Sequence, residues 1–223
     1  LFGPDHIEFD AIQARIFHLG YLLLLDELDR KDSEFGTVAA RVLSELRKRG
    51  IKTSVDLVSE DSRRFKDVVV PSLPHIDYLI VNEFEACRTT GHEPRKDGKL
   101  DIEAIRASAR QLIESGVNER VVIHAAEGGY TVDKKGREAY QPSLKLPSKF
   151  IAGTAGAGDA FCAGVLYGLY NEWAIAKSLK LAVCAGAACL SEPTTTAGMQ
   201  PLCHTLALAK QYPFTEDLLG KTK

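Results

Sequence analysis

Apolar and polar positions along the chain form two patterns, short apolar runs and longer stretches with one apolar face. The short runs at residues 14–25, 51–58, 76–82 and 120–125 predict strands, and those at 14–25 and 120–125 are expected to be buried. Residues 37–49 predict an amphipathic helix, because Val38, Val42 and Leu46 recur every four positions and Gly50 follows as a stop signal. Further helices are predicted over residues 83–91, 102–115, 159–170, 173–190 and 202–211, and a hairpin over 129–141.

Strands that alternate with helices of this length predict a mainly parallel sheet covered by helices on both faces. The expected fold class is therefore α/β, in three layers, α/β/α. Ligands of such folds bind at the carboxyl ends of the strands. The sequence shows no internal repeat and no linker rich in Pro, Gly or Ser, so residues 1–223 are interpreted as a single domain.

Composition and charge narrow the class of partner. The chain is 45% hydrophobic and 26% charged, as globular proteins are, and its net charge of −2 gives no electrostatic reason to bind nucleic acid or an anionic membrane. No apolar run reaches membrane-spanning length, and the first ten residues lack the basic region of a signal peptide. The five cysteines show no CxxC spacing, which argues against a disulfide framework or a zinc site. We expect a cytoplasmic protein without nucleic-acid or membrane partners.

A glycine-rich loop before a predicted helix is the strongest candidate for chemistry. Gly156, Ala157 and Gly158 precede a helix expected to begin near Asp159. Glycines let a ligand approach the backbone closely, and a helix N-terminus adds unsatisfied amide donors and a partial positive charge. The combination is suited to a phosphate group. For Asp159 two interpretations stay open at this stage, a helix cap or a general base that faces the same site.

Four motifs resemble a known family. The string GTAGAGDAFCAG at residues 153–164 resembles the second signature of the ribokinase-like sugar kinases, the pfkB family, broadly DTxGAGDxFxxG. Residues 77–91 resemble its strand-end segment with an NxxE motif, residues 121–133 its nucleotide loop, and residues 184–202 its Ala-rich helix and following loop. All four occur in family order. The resemblance implies a ribokinase-like fold, ATP and Mg²⁺ as cofactors, and phosphoryl transfer to a sugar.

The resemblance also implies roles for individual residues. Asp159 matches the catalytic base, and the Gly156 to Gly158 loop, including Ala157, matches the anion hole for the moving phosphoryl group. Asn82 and Glu85 match the NxxE pair that organises Mg²⁺ and the phosphates, with Glu85 acting on the cation through water. Mg²⁺ prefers few carboxylates and several waters.

At the nucleotide site the sequence departs from the family pattern at two positions. His124, Ala126 and Gly129 match the nucleotide loop, although the family usually has Thr in place of His124 and Gly in place of Ala126. Matches at the border of the adenine pocket are Gly186 and Gly198. Gly153 stands where many members carry an Asp that helps hold a monovalent cation, so dependence on such a cation stays open.

Family members generally run to about 300 residues, and the part that supplies the early strands, a β lid and most sugar contacts has no counterpart here. We therefore expect the chain to hold the nucleotide-binding and catalytic part, with negligible sugar kinase activity by itself. The expected partners are a small sugar and ATP, and assembly into a homodimer is left open. The alternatives are a nucleoside kinase of the same fold and a non-catalytic member that binds sugar or nucleotide.

Overall fold

The computed structural model describes residues 2–62 and 64–220. The strands of these residues are β1 (Ile16–Leu22), β2 (Lys31–Asp32), β3 (Gly36–Thr37), β4 (Lys52–Leu57), β5 (Tyr78–Asn82), β6 (Arg95–Lys96), β7 (Lys99–Leu100), β8 (Arg120–Ala125), β9 (Gly128–Asp133) and β10 (Glu138–Pro142). The α-helices are α1 (Asp26–Asp29), α2 (Val38–Lys48), α3 (Val70–Ser72), α4 (Glu83–Thr90), α5 (Ile102–Glu114), α6 (Ala157–Tyr170), α7 (Ile175–Cys189) and α8 (Leu202–Gln211). Each helix and strand predicted from the sequence is therefore present, with bounds that differ by at most a few residues.

A six-stranded sheet with the order β1-β4-β5-β8-β9-β10 forms the centre of the fold. β1 pairs with β4 in parallel, with Ile16 opposite Lys52, and β4 pairs with β5 in parallel, with Ser54 opposite Tyr78. The sheet is mainly parallel and helices lie on both sides, which confirms the expected α/β class. β9 and β10 are neighbours joined by residues 134–137, so the predicted hairpin is also confirmed.

The strand β1 is less buried than its apolar sequence predicted. Only Leu19 and Leu22 of its seven residues are buried, whereas five of the six residues of β4 are. β1 lies at one edge of the sheet order and so has a single strand neighbour. An apolar run alone does not distinguish an edge strand from a central one, because it carries no information on what pairs with it.

The chain divides into two compact units, and each is described by itself. The first comprises the residues up to Ile123 together with Thr131–Arg137. Its core includes Leu22, Leu43, Leu46 and Ile80, all fully buried. Helix α2 buries Val38, Val42 and Leu46 as the sequence predicted, and the Thr37 hydroxyl caps it by accepting a hydrogen bond from the Ala40 amide at 3.1 Å.

The second unit comprises His124–Tyr130 and the residues from Glu138 onward, and its main packing is α6 against α7. The two helices approach so closely that a Cβ placed on Gly164 would lie 2.6 Å from the Ala182 Cα. Small residues therefore line this contact, since any side chain at Gly164 would force the helices apart.

Two further findings concern the cysteines and the possibility of a membrane span. All five cysteines are free thiols, and only Cys203 is exposed. Over residues 2–62 and 64–220, no helix has the length and apolar character needed to cross a bilayer.

Candidate functional site

A closed network of hydrogen bonds stands at the start of helix α4, in the first unit. The Asn82 side chain accepts a hydrogen bond from the Glu85 amide at 2.8 Å, and Glu85 Oε2 accepts one from the Asn82 amide at 2.9 Å. This reciprocal pair is a capping box. The NxxE spacing thus has a local structural effect, because it brings the two side chains of the motif together at the end of β5.

Ser59, which follows β4, belongs to the same cluster and was missed in the sequence. Its hydroxyl donates to Glu85 Oε1 at 2.7 Å and accepts from Asn82 Nδ2 at 2.8 Å, while Asn82 Nδ2 also donates to Glu85 Oε1 at 2.8 Å. Glu85 is 3% exposed. Burial raises the pKa of Glu85, and its hydrogen bonds from Asn82 and Ser59 act in the opposite direction.

The donor set at Glu85 fits a cation held through water. In the described part of the chain, no three His, Cys, Asp or Glu side chains converge to hold a metal ion. One carboxylate beside an amide and a hydroxyl is too little for a dedicated protein cage, but it suits Mg²⁺, which keeps several waters and takes further ligands from phosphates.

The glycine loop lies in the second unit, at the start of helix α6. Gly156 is the N-cap and has φ 80°, a left-handed backbone that favours glycine, and a Cβ there would lie 2.5 Å from the Thr195 carbonyl oxygen. No side chain caps this helix end. The Cys189 thiol donates to the carbonyl oxygens of Ala155 and Thr195 at 3.4 and 3.2 Å, which ties the loop to the end of α7.

The cap interpretation of Asp159 is wrong. Helix α6 begins at Ala157, two residues earlier than expected, so Asp159 lies inside the first turn and not at the N-cap position. An uncapped helix N-terminus leaves amide donors for a ligand, and a carboxylate in the first turn interacts favourably with the helix dipole. The other interpretation, in which Asp159 is a general base, stays a prediction.

His124, at the end of β8, packs directly on this loop. Its ring centroid lies 5.0 Å from that of Phe161, and its Cε1 would lie 3.2 Å from a Cβ on Gly158. Removal from water lowers the pKa of His124 to about 4, and the nearby Asp159 carboxylate opposes that shift only in part. The imidazole is therefore neutral at pH 7.

A cavity of about 580 Å³ opens beside His124 and the glycine loop. Of the residues expected at the nucleotide, Ala126, Ala157 and Gly186 line it together with His124. Its walls are mainly apolar, with Thr154 and Lys145 among the polar exceptions. Both the volume and the lining are those of a small-molecule site.

Two expected residues are placed differently. Gly129 packs under Phe161, where a Cβ would lie 2.6 Å from the ring, and its neighbour Gly128 lines the cavity instead. Adjacent residues of a strand point to opposite faces, so a shift of one position changes the environment. Gly198 packs on the Ala188 and Cys189 carbonyl oxygens at the end of α7 and is not among the residues that line this cavity.

The fold and these two clusters define an α/β protein with a small-molecule site beside an uncapped helix. Comparison with family models matches residues 13–202 to the pfkB family carbohydrate kinases. The chain belongs to this family, which confirms the resemblance seen in its motifs.

Individual relatives share part of their length with the chain. Adenosine kinase of Saccharomyces cerevisiae is 30% identical over 178 residues, which cover 75% of this chain and 48% of that protein. ATP-dependent 6-phosphofructokinase isozyme 2 of Mycobacterium tuberculosis is 36% identical over 91 residues, or 41% of this chain and 26% of that protein. The chain thus spans at most about half the length of these curated relatives.

Solved structures share the fold. Arabidopsis thaliana ribokinase, in complex with ribose and ATP, superposes with a TM-score of 0.64 at 22% identity, over 77% of this chain and 51% of that one.

Proposed function

We propose that the protein is an ATP-dependent phosphotransferase that moves the γ-phosphoryl group to a sugar hydroxyl. One observation carries the proposal: Asp159 lies in the first turn of a helix whose glycine N-terminus has no side-chain cap. This occurs in a chain of the pfkB carbohydrate kinase family.

The uncapped end of α6 serves as the anion hole. The Ala157 amide donates to the Thr154 carbonyl oxygen at 3.4 Å. The other amides of this turn, including that of Gly158, donate to the oxygens of the moving phosphoryl group, and the helix dipole adds to their field. Such fixed donors stabilise charge where it develops during transfer. Asp159 accepts the proton of the acceptor hydroxyl. A carboxylate suffices as the base, because phosphoryl transfer has a loose transition state and depends mainly on positioning and electrostatics.

The cavity beside His124 takes the nucleotide. Its volume and apolar walls suit a flat base, and the likeness to ribokinase solved with ATP supports this nucleotide. Asn82 and Glu85 would hold Mg²⁺ through water, and the cation would neutralise phosphate charge when bound. For a monovalent cation, Gly153 contributes no side chain.

A coupled ADP-release assay on the protein at its natural length tests the proposal. Sugars, sugar phosphates and nucleosides serve as acceptors, and Asp159→Asn is the matched control. We expect acceptor-dependent ADP release that the Asn variant loses. ATP binding without acceptor-dependent release, from any acceptor of the panel, would favour the non-catalytic binding member instead.

A nucleoside kinase is the second candidate, and the likeness to yeast adenosine kinase supports it. The same assay separates the two, since adenosine and ribose present related hydroxyls with and without a base. A kcat/KM for adenosine at least tenfold above that for every sugar would replace the sugar by a nucleoside as acceptor, with the roles of Asp159 and the loop unchanged.

A further inference from the structure

His124, in the second unit, lines the cavity proposed for the nucleotide but has no role in the proposed transfer step. It lines the cavity on one side, and on the other it lies over Gly158 at the start of α6. The ring is held by packing on Phe161. Among the side-chain hydrogen bonds of residues 2–62 and 64–220, none involves a His124 ring nitrogen, so its described contacts satisfy neither nitrogen.

The charges around the ring favour its protonation once a polyphosphate is present. Asp159, from α6, is the charged group that acts on His124 in the free protein. Lys145, from the segment after β10, lines the same cavity and is exposed, and Glu127 lies in the turn that follows β8. A phosphate chain at the start of α6 would add several negative charges next to the ring, and nearby negative charge favours the imidazolium.

We propose that His124 binds the phosphate chain of the nucleotide as an imidazolium, so that nucleotide binding takes up a proton from solvent and nucleotide release returns it. The inference rests on the proposed nucleotide site. A neutral imidazole in the free protein leaves room for that proton, and burial lowers the pKa of His124 to about 4 there. The Thr that the family usually carries at this position cannot take up a proton. Proton uptake on nucleotide binding would therefore distinguish this chain from members with Thr.

Calorimetric titration with Mg²⁺-saturated ADP in buffers of different ionisation enthalpy measures the proton uptake. At pH 6.0 we expect the protein to take up about 0.3–1 proton per nucleotide more than His124→Thr, because a histidine whose pKa rises on binding titrates in this range. The nucleotide Kd should fall about three- to tenfold more between pH 7.5 and 6.0 than it does in the variant, since one linked proton changes affinity at most tenfold per pH unit.

Two further variants keep the test decisive. His124→Asn retains a hydrogen-bonding side chain that does not titrate, and it should bind nucleotide without the extra proton even if the Thr variant folds poorly. His204→Thr makes the same change at an exposed histidine of α8 and should behave as the unaltered protein.

Equal proton uptake by the unaltered protein and both His124 variants would overturn the inference while leaving the nucleotide site intact. If the unaltered protein bound no nucleotide at all, the proposed function would fail, and the inference with it. The two failures are therefore distinguishable in one experiment.

Discussion

The N-termini of helices α4 and α6 are built in opposite ways. At α4, Asn82 and Glu85 accept hydrogen bonds from each other's amides, and Ser59 adds a third partner. At α6, the N-cap is Gly156 in a left-handed conformation, and no side chain caps the helix. Side chains of the protein accept hydrogen bonds at the start of α4, whereas no side chain caps the start of α6.

The capped end of α4 therefore serves stability, whereas the uncapped end of α6 is available to bind a ligand. A side-chain cap stabilises a helix by about 0.5–2 kcal/mol relative to Ala at the N-cap, but by only a few tenths of a kcal/mol relative to Gly, so Gly156 leaves α6 uncapped at little cost. In return its first turn can offer amides to an anion, which a capped end cannot. The two family motifs therefore do different physical work in this chain, and substitutions at the two ends should have different effects.

The largest effect is expected at Asp159. Asp159→Asn should lower kcat by about 10²–10⁴-fold, the usual contribution of a general base. Binding of Mg-ATP should change only a few-fold, because the loop backbone is untouched. Steady-state rates and equilibrium nucleotide titration measure the two quantities. A variant that kept more than a tenth of kcat would exclude Asp159 as the base.

The two loop glycines should separate activity from stability. Gly158 lies in the helix itself, so Gly158→Val should leave unfolding cooperative but lower activity at least tenfold, because the side chain meets His124 and crowds the phosphate. Gly156→Val should also destabilise the fold by at least about 1–2 kcal/mol, since φ is 80° and the Thr195 backbone blocks a Cβ. Equal unfolding free energies for the two variants would contradict this difference.

At the capped helix, stability should respond first. Asn82→Ala should lower the free energy of unfolding by about 1–2 kcal/mol, because it removes the N-cap acceptor of α4. Asn82→Ser keeps a side-chain oxygen at the cap without placing a second carboxylate beside the buried Glu85, so it should recover most of that loss. Urea unfolding of both variants checks this, and an Ala variant as stable as the unaltered protein would show that the capping box is not needed.

Glu85 and Ser59 test whether the same cluster also serves the cation. Glu85→Gln removes a charge and should raise the Mg²⁺ concentration for half-maximal rate several-fold. Ser59→Ala leaves the charge and removes one hydrogen bond to it, so its shift should be smaller. Manganese binding in the presence of ADP, followed by electron paramagnetic resonance, gives a readout besides turnover. An unchanged titration in Glu85→Gln would restrict this residue to its role in the cap.

Sequence patterns predicted the elements better than the contacts. β8 and α8 have the predicted bounds, because apolar periodicity reports directly on which face is buried. The π-helical turn at Phe65–Val69 was missed, since no strong periodic signal marks it. Ser59 was missed because it meets Glu85 only when β4 and β5 lie side by side, and the Gly129 prediction was displaced by one residue of strand alternation.

The smallest effect concerns His124 in the free protein. Its pKa is lowered from 6.5 to about 4 in the folded state, so between these pH values the unfolded chain binds more protons than the folded one. Stability is therefore fully retained above pH 6.5 and is lost as the pH falls toward 4.

The full shift corresponds to about 3 kcal/mol. Because His124 as a residue is only partly buried, we expect about 1 kcal/mol of it. On going from pH 7.5 to 4.5, the unaltered protein should lose about 1 kcal/mol more unfolding free energy than His124→Thr does. Urea unfolding at the two pH values measures the difference. If the two proteins lost stability in parallel, the pKa of His124 would be the same in the folded and the unfolded state. The ring would then already be largely protonated at pH 6.0, with little room for a nucleotide-linked proton.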